Sequence, residues 1–347
     1  MVVTTVSVLA MHPLSERQIR LKPLVAIVGP TAVGKSRIAI EVARHFATEI
    51  LTADSRQVYR GMDIGTDKPP KETWQGIPHQ LIDLVNPDES FNAGLFRRHA
   101  VEAIERLHDR GRLPLVVGGT GLYVRTLLQG LCKAPPADPA VRAQLRDEAR
   151  AKGHDHFYAR LATVDPVAAS KLHPRDTSKV IRALEVYQLT GRPMSEFQQQ
   201  HGFAERPFSA LVIGLNRDRG SLYRRIEDRI DSQLAKGLVQ ETRQLLDQGY
   251  RRDAAALKGL GYRQVAAHLA GEYDQTEMVR RFKRDTRHFA KRQMTWFRRE
   301  PGITWLTVEE SEPLEQTVDR VIHRIDRFLA MLDGASENRD TGTDQRR

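Results

Sequence analysis

A doubly wound α/β fold, with a parallel sheet and one helical insertion, is predicted by three features of the sequence. Four short apolar runs, residues 24–28, 49–53, 113–117 and 210–215, each end in a polar or glycine-rich turn. Continuous apolar runs of that kind suit parallel strands covered on both faces. Helical text separates the runs, notably residues 95–110, and this alternation is the pattern of an α/β sheet. Between the third and fourth runs, residues 138–205 carry no strand pattern, which predicts a small helical subdomain inserted into the sheet domain.

The first run leads into Gly29-Pro30-Thr31-Ala32-Val33-Gly34-Lys35-Ser36, which fits the phosphate-loop pattern G-x-x-x-x-G-K-[ST]. Ile38, Ala39, Val42, Ala43 and Phe46 then repeat at helical spacing. Strand, glycine loop and helix together make a P-loop NTPase-like core. Gly29 and Gly34 let backbone N–H groups curl around phosphate oxygens, Lys35 adds a point charge, and the helix N-terminus adds its positive dipole end. Ser36 is the expected metal ligand, its hydroxyl on a Mg²⁺ ion that bridges the phosphates. A di- or triphosphate ligand follows from the loop, with its identity open.

The second run ends at Asp54 and the third at Gly118-Gly119-Thr120-Gly121. Ligands of doubly wound sheets sit beyond the carboxyl ends of strands, so Lys35, Asp54 and Thr120 are expected to converge on one crevice. On residue chemistry alone Asp54 reads equally as a helix N-cap, a metal-ligating acid or a general base.

Pro135-Pro136-Ala137-Asp138-Pro139 breaks the chain before the insertion, whose helices are expected at residues 141–152, from Asp165-Pro166 onward, and at 177–189. The resulting organisation is an N-terminal extension (1–21), a catalytic core (22–137 and 206–330), the insertion (138–205) and a polar, disordered tail (331–347). Residues 1–11 are apolar, but the first basic residue, Arg17, follows them, which is the wrong order for a secretory signal. No apolar run reaches the roughly 20 residues of a membrane span. Cys132 is the single cysteine, which fits a reducing cytoplasm and reads as a small buried hydrophobe.

The net charge of +10 favours a polyanionic partner, and nucleic acid suits it better than a membrane surface. Residues 280–299 hold nine basic side chains against the single acid Asp285. At about 100° per residue, Arg280, Arg284, Arg287, Lys291 and Arg298 fall on one stripe, with Phe282, Phe289, Trp296 and Phe297 opposite. With the neutralising acids missing from this text, the stripe is read as a phosphate-backbone contact rather than a solvated face.

Asp54-Ser55-Arg56-Gln57-Val58-Tyr59-Arg60-Gly61-Met62-Asp63-Ile64-Gly65-Thr66, with Gly29-Pro30-Thr31-Ala32 before it, closely resembles the tRNA dimethylallyltransferases, the bacterial-type tRNA isopentenyltransferase family. The resemblance continues through Pro78-His79, Leu81-Ile82-Asp83, Val117-Gly118-Gly119-Thr120-Gly121-Leu122-Tyr123 and Arg182-Ala183-Leu184-Glu185-Val186. It ends in Gly261-Tyr262-Arg263-Gln264 and Ala290-Lys291-Arg292-Gln293-Met294-Thr295-Trp296, so it covers roughly residues 22–305. Gln80 stands where a second His is usual in the family, and His99 where an acid is common.

The resemblance implies transfer of a dimethylallyl group from dimethylallyl diphosphate to N6 of the adenosine directly 3′ of the anticodon, position 37. The substrates it implies are tRNAs that read codons beginning with U, bound by the anticodon stem-loop, and a cytoplasmic monomer is expected. It implies that the phosphate loop holds the diphosphate leaving group with Mg²⁺, that Thr120 bonds the bridging oxygen and that Asp54 is the base. It implies tRNA contacts for Asp54, Ser55, Arg56, Gln57 and Thr120 near the reacting base, and for Arg142, Ser178, Lys179, Val180, Ile181 and Arg182 in the insertion. Further contacts are implied for Lys258, Gly259, Leu260, Gly261, Tyr262 and Arg263, and for Lys291, Arg292, Gln293, Met294, Thr295, Trp296, Phe297 and Arg298. On residue chemistry Arg142 also reads as a solvated helix residue, and Tyr123, Trp296 and Phe297 as core. The rivals are a P-loop kinase or triphosphatase, disfavoured because the third strand ends in glycines rather than an acid; a prenyltransferase of free adenine nucleotides, which needs neither insertion nor stripe; and an RNA-binding protein with an inactive loop, disfavoured by intact Lys35, Ser36 and Asp54.

Overall fold

The computed structural model describes residues 13–334. The chain divides into two compact units, Met1–Leu128 with Pro207–Arg347, and Gln129–Arg206. The first unit begins with α1 (Glu16–Arg20), β1 (Pro23–Val28), α2 (Lys35–His45), β2 (Ile50–Thr52), β3 (His79–Gln80), α3 (Ala93–His108), β4 (Leu115–Gly118) and α4 (Gly121–Gln129). The second unit holds α5 (Pro139–Lys152), α6 (His154–Val164), α7 (Pro166–Ala169), α8 (Thr177–Thr190) and α9 (Met194–His201). The chain then returns to the first unit with β5 (Ser209–Asn216), α10 (Arg219–Ala235), α11 (Leu238–Asp247), α12 (Tyr262–Leu269), α13 (Gln275–Arg298), β6 (Ile303–Thr307) and α14 (Leu314–Gly334).

The sheet is six-stranded and parallel throughout, in the order β3-β2-β4-β1-β5-β6. β1 is central, pairing Val25 with Leu115 on one side and Leu24 with Ala210 on the other, and all six of its residues are buried. Its alternation divides the core. Val25 and Ile27 face a cluster that includes Ile38, Ala39 and Val42 of α2, whereas Leu24, Ala26 and Val28 face Phe96, Ala100 and Ile104 of α3 and Tyr123 of α4. Period-two side chains thus feed helices on both faces, as the unbroken apolar text of a doubly wound strand requires. Asn92 starts α3 by accepting from the Gly94 and Leu95 N–H groups.

Two strands escaped the sequence reading. β3 is only two half-buried residues, and β6 is an edge strand whose residues are mostly half-buried and mix Thr and Trp with apolar positions. Neither offers the continuous apolar run used to find the others. The tail boundary is also corrected. α14 continues to Gly334, and Asp333 accepts from Ser15 Oγ at 3.0 Å and Gln18 Nε2 at 2.8 Å. Within the expected 1–21 extension, residues 13–21 are therefore packed against the C-terminal helix, and residues 1–12 and 335–347 lie outside the described residues.

The second unit is helical throughout and packs its own core of Leu145, Phe157, Leu161, Val180, Ile181 and Leu184. Asp138 caps α5 through the Ala140 and Val141 N–H groups, and Asp165 caps α7 while accepting from Ser195 N. Glu185 is fully buried yet satisfied, accepting from Asp138 N, from Arg142 Nε on both oxygens at 3.0 Å and from Arg182 Nη1 at 2.7 Å. Arg142 is therefore a paired side chain and not a merely solvated one. Val180 and Ile181, expected to touch RNA, are 1% and 5% exposed and belong to the helical core, so contact can come only from their exposed neighbours Ser178 and Lys179 and from half-buried Arg182.

Phe157→Ala should remove about 3–5 kcal/mol from this second core. Hydrogen exchange should then quicken in α6 and α8 while protection of β1 and α2 stays unchanged.

Candidate active site

The polar ends of β1, β2 and β4 do converge. Lys35, Ser36, Asp54 and Thr120 line one cavity of about 540 Å³ in the first unit. The loop from β1 to α2 is shaped for close approach. Gly29 has φ +150°, and a Cβ there would lie 2.6 Å from the Leu215 carbonyl oxygen, so a side chain is excluded. Pro30, Thr31, Ala32 and Gly34 complete the loop, Val33 anchors it in the core, and α2 starts at Lys35 with its N-terminal N–H groups beside the loop.

Lys35 Nζ donates to the Gly29 and Pro30 carbonyls at 3.0 and 2.8 Å. Burial, reinforced by the Arg229 guanidinium, lowers the Lys35 pKa to about 8. Arg225 and Arg229 come from α10 and were not found in the sequence. Arg229 Nη1 donates to Thr31 Oγ1 at 3.1 Å and its Nη2 pairs with Asp67 at 2.8 Å, and Arg225 Nε donates to the Ala32 carbonyl at 2.9 Å. Their four-residue spacing places both on one helix face, the only signal the sequence offered. Eight Lys and Arg side chains line the cavity against two carboxylates, Asp54 and Asp67. The cavity is built for an anion.

Asp54 does not cap a helix, because the residues after it form turns. Its Oδ1 accepts from Arg56 N at 2.8 Å in an Asx turn, and the carboxylate faces the cavity. Thr120 Oγ1 accepts from Ser55 N at 2.9 Å, tying the end of β4 to the Asp54 turn. Gln57 lines the cavity but turns its amide nitrogen toward the Thr66 carbonyl at 3.1 Å. The loop that follows is held from α11: Glu241 accepts from the Asp63, Ile64 and Gly65 N–H groups and from the Tyr262 hydroxyl. Burial, with Glu241 beside it, raises the Tyr262 pKa.

A divalent cation fits this donor set. Ser36 is exposed in the cavity wall, and among the described residues no group of three or more His, Cys, Asp or Glu side chains could hold a metal alone. An oxygen-seeking ion that takes one hydroxyl and completes its shell from ligand oxygens and water, as Mg²⁺ does, suits such a site.

The remaining predicted contacts divide between surface and interior. Lys258, Gly259, Leu260, Tyr262, Arg263, Arg292 and Gln293 line the cavity, as does Phe289 from the face opposite the basic stripe. Tyr262 and Phe297 are each 1% exposed, Gly261 and Gln293 are buried, Met294 is half-buried, and Lys291, Thr295 and Arg298 are exposed. Trp296 is half-buried beneath the Arg125 guanidinium, 4.3 Å from the ring centroid.

The basic stripe of α13 is corrected. Arg280 and Arg281 pair with Glu277, Lys283 with Asp231, Arg284 with Asp285 and Arg287 with Glu227. The missing acids lie one turn earlier on α13 and on α10, outside the window read in the sequence. Among the described residues no carboxylate pairs with Lys291, Arg292, Arg298 or Arg299, so the uncompensated charge sits at the C-terminal end of the helix.

A family model described as IPP transferase matches residues 57–300. The chain is 50% identical over 283 residues to the tRNA dimethylallyltransferase of Geobacter metallireducens, covering 82% of this chain and 92% of that one. It is 48% identical over 302 residues to the enzyme of the same name from Thermomicrobium roseum, covering 86% and 91%. Among solved structures, the full-length tRNA isopentenylpyrophosphate transferase of Bacillus halodurans superposes with a TM-score of 0.69 at 36% identity over 91% of this chain and 99% of that one. A eukaryotic dimethylallyltransferase captured acting on tRNA superposes with a TM-score of 0.77 at 29% identity, over 89% and 79%.

Because the Lys35 pKa is depressed to about 8, the side chain is partly neutral near pH 8 in the empty protein, and a bound anion restores its charge. Sulfate, which carries no titrating proton in this range, should therefore bind at pH 8 with uptake of a few tenths of a proton, and more weakly as pH rises from 7 to 9. Calorimetry in buffers of different ionisation enthalpy measures this. Proton release, or no exchange, would contradict the Lys35 environment described here.

Proposed function

The chain belongs to the IPP transferase family, and on that premise we propose that it transfers a dimethylallyl group from dimethylallyl diphosphate to N6 of adenosine 37 in tRNAs reading codons that begin with U. The observation that carries this reading is the meeting of Lys35, Asp54 and Thr120 in one cationic cavity. A phosphate loop supplies the anion site, and the carboxylate beside it supplies a proton acceptor. An NTP-hydrolysing enzyme needs the first too; what counts against it is the glycine end of β4, where such an enzyme carries an acid for Mg²⁺.

The diphosphate lies on the loop from Gly29 to Ser36, contacted by backbone N–H groups, Lys35 and Arg229. Negative charge grows on it as the allylic C1–O bond breaks, and preorganised cations stabilise that charge without reorganising. Thr120, whose hydroxyl accepts from Ser55 N, bonds the bridging oxygen in this reading. Mg²⁺ held by Ser36 would neutralise further charge on the diphosphate. The adenine leaves its stack to enter the cavity, as bases do for modifying enzymes. Its N6 attacks C1, the C1–N6 bond forms as C1–O breaks, and the amine proton passes to the Asp54 oxygen. A positioned base of this kind contributes about 10²–10⁴-fold. The tRNA backbone lies on the uncompensated cations, Lys291, Arg292 and Arg298 among them, with Arg142, Ser178, Lys179 and Arg182 of the helical unit on the anticodon arm.

Radiolabelled dimethylallyl diphosphate offered with Mg²⁺ to unmodified tRNA, and separately to AMP, tests the reading. Label should enter tRNA and not AMP, and digestion should place it at position 37; label in AMP alone rejects the tRNA substrate. Asp54→Ala should lower the transfer rate at least about 10²-fold with tRNA affinity nearly unchanged. Wild-type turnover in that variant would remove Asp54 as the base.

The corrected charge map gives a second expectation. Lys291→Glu should weaken tRNA binding and lower the salt slope by about one phosphate contact. Arg287→Glu, whose partner Glu227 already neutralises it, should change the slope less. Equal slopes for both variants would reject the reassignment.

A further inference from the structure

Gln293 is flanked on α13 by exposed Lys291 and Arg292, yet its side chain turns inward and is 8% exposed. Its Oε1 accepts from Thr31 N at 2.9 Å and its Nε2 donates to the Gly119 carbonyl at 2.9 Å. One amide thus joins the phosphate loop after β1 to the turn after β4. Its orientation is fixed, because only an acceptor can face the Thr31 N–H and only a donor can face the Gly119 carbonyl. A Cβ at position 119 would lie 2.3 Å from Gln293 Nε2, so glycine there keeps the space the amide fills.

Both arms continue into the site. Thr31 Oγ1 accepts from Arg229, and Gly119 directly precedes Thr120, which holds Ser55 N beside Asp54. We propose that Gln293 is a positioning residue for the transfer: it sets the spacing between the loop that binds diphosphate and the turn that carries Thr120 and orders Asp54. This role rests on the function proposed above. It replaces the direct tRNA contact expected for Gln293 from sequence. Removing the amide leaves a half-buried N–H and a buried C=O unpaired, and the two loops lose the only side chain that, among the described residues, bonds to both. A shift of an ångström between leaving group and base is enough to cost about 100-fold in rate.

Two variants test the role in the labelled transfer assay. Gln293→Met keeps the volume and removes both hydrogen bonds; it should lower kcat about 10–100-fold and raise KM for dimethylallyl diphosphate, with tRNA Kd and its salt slope within twofold of wild type. Gln293→Glu keeps the acceptor for Thr31 and regains a donor only when protonated. Its turnover relative to wild type should therefore rise as pH falls from 8 to 6, the ratio cancelling titrations that both enzymes share. Melting and far-UV circular dichroism check the fold of each.

Wild-type kcat and KM in Gln293→Met reject the role, as does a ratio for Gln293→Glu that stays flat with pH. A loss of tRNA affinity equal to the loss of turnover restores the direct RNA contact instead. Absence of transfer by the wild-type protein rejects the proposed function and this role with it, whereas transfer by wild type with unimpaired variants rejects the role alone.

Discussion

Lys35 donates to two carbonyls of its own loop while Arg225 and Arg229 bond the same loop from α10, in a cavity whose fixed carboxylates are Asp54 and Asp67. Like charges gathered in a partly desolvated space repel, and the Lys35 pKa is lowered by burial first and by the neighbouring Arg229 guanidinium second. The surrounding structure answers this strain. Carbonyls chelate the ammonium, Asp67 holds Arg229, and Glu241 fixes the loop that bears Asp67 by capturing three successive N–H groups. An anion entering such a cavity would meet donors already aimed at it and relieve the repulsion they share. For the transfer proposed above, the same arrangement would supply both affinity for the diphosphate and stabilisation of the charge that grows on it.

The sheet that carries these groups was legible to the extent that its strands are buried on both faces. β1, β2, β4 and β5 announce themselves as apolar runs because each is sandwiched between helix layers. β3 and β6 sit at the sheet edges, where burial is partial and the composition need not be apolar, and they leave no such trace. Among the cavity groups, Lys35, Asp54 and Thr120 were visible because each follows the end of a strand, and the ends of parallel strands lie on one side of the sheet. Arg225 and Arg229 were invisible for the converse reason. They come from the middle of a helix, where an arginine four residues from another is ordinary, and only tertiary packing brings them to the loop.

α13 shows the limit of a local window most clearly. Its text holds one acid among nine cations, yet five of those cations are paired in the fold. Glu227 and Asp231 lie roughly 50–60 residues away in sequence and on the neighbouring helix, so no count along α13 includes them. Charge compensation is a property of packed surfaces, and its remainder, not the gross total, is what a polyanion encounters. The remainder here falls at Lys291, Arg292, Arg298 and Arg299. The helix therefore divides along its length, one part bound to α10 and the other presenting charge beside the cavity that Arg292 also lines.

Asp54 shows how a backbone turn decides between chemical roles that residue type leaves open. A helix cap would commit the carboxylate to N–H groups of the first helical turn, but here a single N–H, that of Arg56, bonds Oδ1. Among the described residues no hydrogen bond engages the other oxygen, and Asp54 lines the cavity. The turn is braced from a different strand by Thr120, whose hydroxyl accepts from Ser55 N and so has its own proton left to donate outward. One hydrogen bond thus orients a proton acceptor and a hydroxyl donor side by side. In the transfer proposed above, where an amine loses a proton while a phosphate ester oxygen gains stabilisation, that pairing would serve both needs within one turn of backbone. Neither group can drift without moving the other, and the Gly119 carbonyl held by Gln293 lies at the root of both.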